Sequence, residues 1–393
     1  MKFEFYNPTR LIFGAGVLEK LGEAVRPLGG RALLVMGRGS ARRSGLYDRV
    51  AGILSASGVS VVPFEGVEPN PRLDTVLRGS EAARSEGCDV VVALGGGSVM
   101  DAAKVMAAGV FYPGDLWDMM YVGPRRPRLP ERALPIVTVP TLAATGSEMN
   151  DGAVITYQDL KVKAFVEAEC LFPRVAVVDP ELTLTVPRNQ TAYGVSDIIA
   201  HVTEAYFNGV DGTPIQDSFA EGVLRAVVQW GPVAVEEGGN LEARTQVQWA
   251  SVVALNGWVQ VGTRGAYPVH MMEHTLSGIH DVPHGAGLAV LNPAWMRFAA
   301  PHRPERFAQF ARNVFGVREE DHLTAAMRGI EALEDLLKRM GCPLTLGELG
   351  ISDPDPELYA RATLEVAGDR EGMLRGRPGM SRLDLVGIFR SVL

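Results

Sequence analysis

The chain has 393 residues, room for two or three domains at roughly 150 residues each, and its 47% hydrophobic and 21% charged content is ordinary for a globular protein. Lys and Arg total 38 against 46 for Asp and Glu, a formal charge of −8, which argues against the basic face that a nucleic-acid partner needs. The start, MKFEFYNPTR, has no long apolar core of an export signal, and the uncharged stretch between Arg244 and Arg264 carries Gln246, Gln248, Asn256 and Gln260, so it reads as a buried helix and not a membrane span.

Along the chain, short β-branched runs alternate with helical patterns for the first ~180 residues, the texture of a parallel sheet covered by helices. Ala32 to Met36 forms an apolar run ending at Gly37, and Leu46, Val50, Ile53 and Leu54 then share one helical face. Val59 to Phe64 is a second strand candidate, closed by the EPNP turn at 68–71. Asp89 to Leu94, Ile136 to Val139 and Val175 to Val178 complete the set, and Arg125 to Arg132, broken by prolines, reads as a surface loop. From Pro187 the pattern changes to long helical stretches at 187–208, 214–230 and 241–262. The expected fold class is therefore an α/β N-terminal domain with a parallel sheet, residues 1–183, and an all-α C-terminal domain, residues 184–393. Cys88, Cys170 and Cys342 are widely spaced with no CxxC pair, which predicts reduced thiols, no thiolate zinc site and a cytoplasmic setting.

Gly95-Gly96-Gly97-Ser98 follows an apolar strand and precedes a helix beginning near Val99. Glycines let a pyrophosphate approach the backbone, and the unpaired N–H groups of the following helix can receive it. A tight strand-to-helix turn without a ligand is the plainer alternative. A second cluster, Gly37-Arg38-Gly39-Ser40 with Arg42 and Arg43, also follows a strand and lacks the carboxylate that holds ribose hydroxyls. That composition suits a 2′-phosphate and predicts NADP(H) over NAD(H).

Seven histidines are present, and five of them fall at positions 201, 270, 274, 280 and 284. Asp197 and His201 are i, i+4 in TAYGVSDIIAHVTEAYF, so both side chains leave one helical face and can meet one ion. Oxygen and imidazole together suit a divalent metal without favouring structural zinc. Spacing alone does not choose between His270 and His274, or between His280 and His284; Pro283 and Gly285 place His284 in a loop or at a helix start.

These segments resemble the iron-containing (group III) alcohol dehydrogenases. GGGSVMDAAK at 95–104 looks like that family's phosphate loop, TVPTLAATGSE at 138–148 its second cofactor segment, VVDPELTLTVP at 177–187 its domain junction, and HMMEHTLSGIHDVPHG at 270–285 its histidine signature. The resemblance implies a Rossmann-like domain and a helical metal domain (dehydroquinate synthase-like architecture) with catalysis in the cleft between them. It puts the metal, Fe(II) or Zn(II), on Asp197, His201, His270 and His284, and leaves His274 and His280 on the substrate side, with His280 then His274 as candidate proton relays. It puts the cofactor on Gly96, Gly97, Ser98, Asp101, Thr138, Thr141, Leu142 and Lys163, with Gly37, Gly39 and Ser40 near the adenosine end. NAD-preferring members have Asp where Gly37 stands, and GRGSARRSG at 37–45 and DLWDMM at 115–120 resemble the butanol dehydrogenase branch, for which NADPH is expected.

The implied activity is hydride transfer between nicotinamide and a primary alcohol or aldehyde in a homodimer, with a membrane excluded as a partner. Trp258, Phe207 and Met149 are candidates to line the substrate pocket, and the N-terminal FEFYNPTRLIFG segment is the candidate dimer strand. The rival readings are a glycerol dehydrogenase-like polyol oxidation, a dehydroquinate synthase-like lyase, a metal-dependent hydrolase and a nucleotide-sensing protein without enzymatic activity.

Overall fold

A computed structural model describes residues 2–263 and 265–393 and divides the chain into two compact units. One comprises Tyr6–Tyr121 and Arg126–Val186; the other comprises Met1–Phe5, Val122–Arg125 and Pro187–Leu393.

The first unit is built on strands β1 (Arg10–Phe13), β2 (Arg31–Gly37), β3 (Ser60–Val67), β4 (Val90–Gly95), β5 (Ile136–Pro140) and β8 (Val175–Val178), with a separate hairpin of β6 (Gly152–Tyr157) and β7 (Val162–Glu167). Its helices are α1 (Leu21–Val25), α2 (Ser40–Arg43), α3 (Leu46–Ala56), α4 (Leu73–Ser85) and α5 (Gly97–Gly109). The six strands pair in parallel in the order β1-β8-β5-β4-β2-β3. Parallel strands covered on both faces need apolar side chains on both, and Val90 to Leu94 and Ala32 to Met36 are buried without alternation.

The strand order creates the feature that matters for function. From β2 the chain moves outward to β3, then crosses back to β4 on the other side of β2. Such a switch point leaves a crevice at the carboxyl ends of the two inner strands, where ligands of open α/β sheets bind. β2 and β4 run in register with Met36 opposite Leu94, so Gly37 and Gly95 end adjacent strands at that crevice.

The second unit is helical: α6 (Arg188–Asn208), α7 (Pro214–Glu236), α8 (Leu241–Ala254), α9 (Pro268–His280), α10 (His284–Ala299), α11 (Pro304–Phe315), α12 (His322–Met340), α13 (Pro356–Ala367) and α14 (Arg382–Arg390). The five strands anticipated from β-branched runs are present. The edge strand β1 and the β6–β7 hairpin are additional to them. The helix expected over 241–262 stops at Ala254, because Gly257 and Gly262 take φ values of 97° and 75°, which end a right-handed helix. Phe207 is not a pocket residue: it is fully buried, stacked on Phe307 at 3.9 Å between ring centroids and flanked by Phe310 and Trp295. Trp258 is half-exposed with its ring edge against Phe219, and Met149 is buried in the turn after β5. The three cysteines are free thiols, and no helix among the described residues is long and apolar enough to cross a membrane.

Candidate active site

In the first unit the glycine-rich end of β4 leads directly into α5, with Gly96 as its extended N-cap residue and no side chain capping the first N–H groups. Close approach dictates glycine at position 97: a Cβ there would lie 2.4 Å from the Thr145 side chain. Thr141 donates its backbone N–H to the Gly95 carbonyl at 3.1 Å, and Leu142 packs beside Gly96, so the β5 loop and the α5 N-terminus form one rim. Half-buried Ser98 sits in the first turn. This is a helix N-terminus with unpaired donors and a positive dipole end, the arrangement that receives phosphate groups.

Three other expected cofactor residues have visible partners. Asp101 accepts from Ser147 Oγ at 2.6 Å and from the Val154 N–H at 3.0 Å, so it ties the segment after β5 to α5. Lys104, fully buried one turn further on, donates to Ser147 Oγ, Asn150 Oδ1 and the Gly152 carbonyl, and burial pushes its pKa down to about 8. Thr138 is fully buried in β5 with its hydroxyl on the Glu148 carbonyl at 3.5 Å. Lys163, buried on β7, reaches Asn70 Oδ1 at 3.0 Å in the turn after β3. At the end of β2, Gly37 is followed by Gly39 (φ 101°) and exposed Ser40 at the start of α2. Carboxylates of β3 and the turn after it engage the arginines here: Glu65 holds Arg42 at 2.5 Å, and Glu68 lies 3.8 Å from Arg38. Arg42 also lies 3.4 Å over the Tyr47 ring, and both Arg42 and Arg43 are exposed.

The second unit gathers the histidines. Asp197 and His201 lie one turn apart on α6, His270 is in the first turn of α9, and His284 is the first residue of α10. Asp197 Oδ1 lies 3.0 Å from His201 Nδ1, 3.7 Å from His270 Nε2 and 3.8 Å from His284 Nε2. His201 Nδ1 directs its hydrogen bond at the Asp197 carbonyl, also at 3.0 Å, which makes Nε2 its nitrogen available to an ion. Among the described residues, Asp197 Oδ1 and His270 Nε2 are buried with no hydrogen-bond partner. Burial alone would raise the Asp197 pKa, but His201, His270 and His284 hold it well below the ordinary carboxylate range. Burial would likewise lower His270, and Glu204 and Asp197 instead push it up to about 9.

Leaving two buried polar atoms unpaired is costly unless something else satisfies them. Donors around a tetrahedral ion with bonds of about 2.1 Å stand about 3.4 Å apart, close to the 3.7 and 3.8 Å between Asp197 Oδ1 and the Nε2 atoms of His270 and His284. The donor set thus fits a divalent metal. Cys342 and Cys88 are buried elsewhere as thiols, so the set is oxygen and nitrogen only.

His274 is buried beside the cluster, its ring 5.6 Å from His284 and 6.4 Å from His270. His280, at the exposed end of α9, is hydrogen bonded through Nε2 to the Tyr359 hydroxyl at 2.7 Å. Sequence reasoning missed two residues altogether. Glu204, one turn past His201, accepts from His270 Nδ1, and Glu273 accepts from His284 Nδ1; both carboxylates are fully buried. A carboxylate within an apolar helical run was the available signal, since burying one without a partner is prohibitive.

Two family descriptions match the chain: "Iron-containing alcohol dehydrogenase" over residues 8–180 and "Fe-containing alcohol dehydrogenase family, C-terminal" over 191–378. The NADH-dependent butanol dehydrogenase A of Clostridium acetobutylicum is 39% identical, covering 99% of each chain. The NADPH-dependent aldehyde reductase YqhD of Escherichia coli is 33% identical over 89% of each. The crystal structure of NADH-dependent butanol dehydrogenase A from Thermotoga maritima superposes with a TM-score of 0.94 at 36% identity, covering 100% of this chain and 98% of that one.

The unpaired Asp197 Oδ1 generates a direct expectation. Asp197→Ala should weaken zinc or iron binding by more than the ~10–100-fold typical of residues that merely support a ligand. Metal analysis after dialysis against a weak chelator, with circular dichroism to verify the fold, checks it; parent-like metal retention would contradict it.

Proposed function

The chain belongs to the iron-containing alcohol dehydrogenase family, and on that premise we infer how its own residues serve the interconversion of alcohols and aldehydes with a nicotinamide cofactor. The observation that carries the reading is the buried Asp197 Oδ1, which makes no hydrogen bond although three imidazoles stand within 4 Å of it. Asp197, His201, His270 and His284 hold one divalent ion, Fe(II) or Zn(II). When bound, the ion supplies Lewis acidity toward the substrate oxygen, and the nicotinamide gives or takes the hydride. Gly96, Gly97 and Ser98 offer their backbone to the cofactor pyrophosphate, with Thr141 and Leu142 forming the opposing rim and Lys163 a nearby positive charge. Asp101 and Thr138 act through packing, fixing the segment that carries this rim. An imidazole is suited to move the proton that accompanies hydride transfer, because it titrates near neutral pH. His280, exposed and linked to Tyr359, fits that role better than buried His274.

Three finer readings follow. β2 ends at Gly37 without a carboxylate, Glu65 is engaged by Arg42, and Arg43 is exposed. This supports NADPH over NADH, although the butanol dehydrogenases named above are NADH-dependent. Free thiols in all three cysteines support a reducing compartment such as the cytoplasm. A homodimer is supported by β1, which ends the sheet order with one edge unpaired among the described strands, and by exposed Phe3 and Tyr6.

The decisive assay compares kcat/KM for NADPH and NADH across short aldehydes, before and after chelation. The reading expects NADPH to be preferred and turnover to vanish with the metal; equal or better use of NADH would overturn the cofactor assignment, and full activity after chelation the metal assignment. Sedimentation equilibrium should give twice the chain mass, and a monomer mass would contradict the dimer.

A further inference from the structure

Behind two of the proposed ligands stand carboxylates that are not themselves in the proposed ligand set, although Glu273 groups with His274 and His284 closely enough to be a donor. Glu204 on α6 accepts from His270 Nδ1 through Oε2, and the same carboxylate accepts the backbone N–H groups of Val269 at 2.5 Å and His270 at 3.3 Å. Those are early N–H groups of α9, which begins at Pro268 and has no cap from its own N-cap side chain. One residue of α6 therefore both caps α9 and grips its histidine. Glu273 on α9 repeats the pattern toward α10: Oε2 accepts from His284 Nδ1 and Oε1 from Ser277 Oγ, whose oxygen also lies 3.2 Å from the Val282 carbonyl. Close packing holds Glu273 in place, since a Cβ on Gly287 of α10 would approach its Cγ to 2.9 Å.

We propose that Glu204 and Glu273 are positioning residues for the metal: each fixes the ring orientation and tautomer of one histidine so that its Nε2 lone pair faces the ion. A carboxylate only accepts, so Nδ1 must carry the hydrogen and Nε2 the lone pair. The arrangement also makes the histidine a better donor to the ion. This rests on the ligand reading above. It further links three helices in sequence, α6 to α9 through Glu204 and α9 to α10 through Glu273, so the ligands are held by the same contacts that set the helices together.

The two sites differ in what an amide can replace. In Glu204→Gln the oxygen can serve the Val269 N–H or His270 Nδ1, but the NH2 group then opposes a donor at the other. If the oxygen keeps the helix cap, the NH2 group donates to Nδ1 and moves the ring hydrogen to Nε2, aimed at the ion. In Glu273→Gln the oxygen can stay on His284 while the NH2 group faces the Ser277 hydroxyl, which can turn to accept.

The test is Zn2+ affinity by competition with a chromogenic chelator, together with the Tm of the metal-stripped proteins. Glu204→Gln should weaken zinc about 10–100-fold and Glu273→Gln by less, with metal-free Tm close to the parent in both. His270→Ala serves as the control. If it loses zinc while both amide variants bind within twofold of the parent, the positioning role is wrong and the ligand set stands. If His270→Ala binds like the parent, the ligand reading falls and this proposal with it. An affinity loss matched by a collapse of the metal-free Tm would assign Glu204 to helix capping alone.

Discussion

A buried carboxylate oxygen with no hydrogen-bond partner, Asp197 Oδ1, is the constraint around which the helical unit is arranged. Charges taken out of water demand compensation, and an isolated one shifts its pKa or is not buried at all. Here three carboxylates, Asp197, Glu204 and Glu273, are almost wholly excluded from solvent with four imidazoles around them. Protonated histidines can offset part of that charge, and Glu204 and Asp197 push the His270 pKa up in that direction against the effect of burial. A divalent cation compensates the same charge while satisfying the lone pairs that protons on Nδ1 leave untouched.

Local sequence places these groups with few residues. Helix α6 brings Asp197 and His201 to one face by spacing alone. Pro268 and Pro283 set the starts of α9 and α10, where proline costs no hydrogen bond, so His270 and His284 both fall in first turns. Gly285 permits α10 to approach α6, since a Cβ there would meet the Tyr193 carbonyl at 2.1 Å. In the sheet unit the same economy appears at Gly97, where the Thr145 side chain occupies the space of a Cβ. Each site thus combines a helix start with a glycine that lets another segment come close.

What the sequence disclosed follows from the range of the interactions. Strands buried on both faces announce themselves as β-branched runs, so β2, β4, β5 and β8 were legible. The edge strand β1 and the half-exposed β6–β7 hairpin carry mixed side chains and were not. The i, i+4 pair Asp197 and His201 was legible because both members lie on one helix; the selection among His270, His274, His280 and His284 needed the family resemblance. Glu204 and Glu273 were missed for a physical reason. Glu204 serves a histidine 66 positions away on another helix, and no local period encodes that contact. Phe207 read as a pocket candidate because burial in an aromatic stack and burial in a ligand cavity leave the same mark on a sequence.

The central claim is that one carboxylate and three imidazoles surround a single ion. X-ray absorption at the metal edge of the zinc-loaded protein measures that directly. The account predicts a first shell of nitrogen and oxygen at about 2.0–2.2 Å, with outer-shell scattering from three imidazole rings and no sulfur. A sulfur contribution near 2.3 Å, or a shell with one imidazole or none, would contradict it.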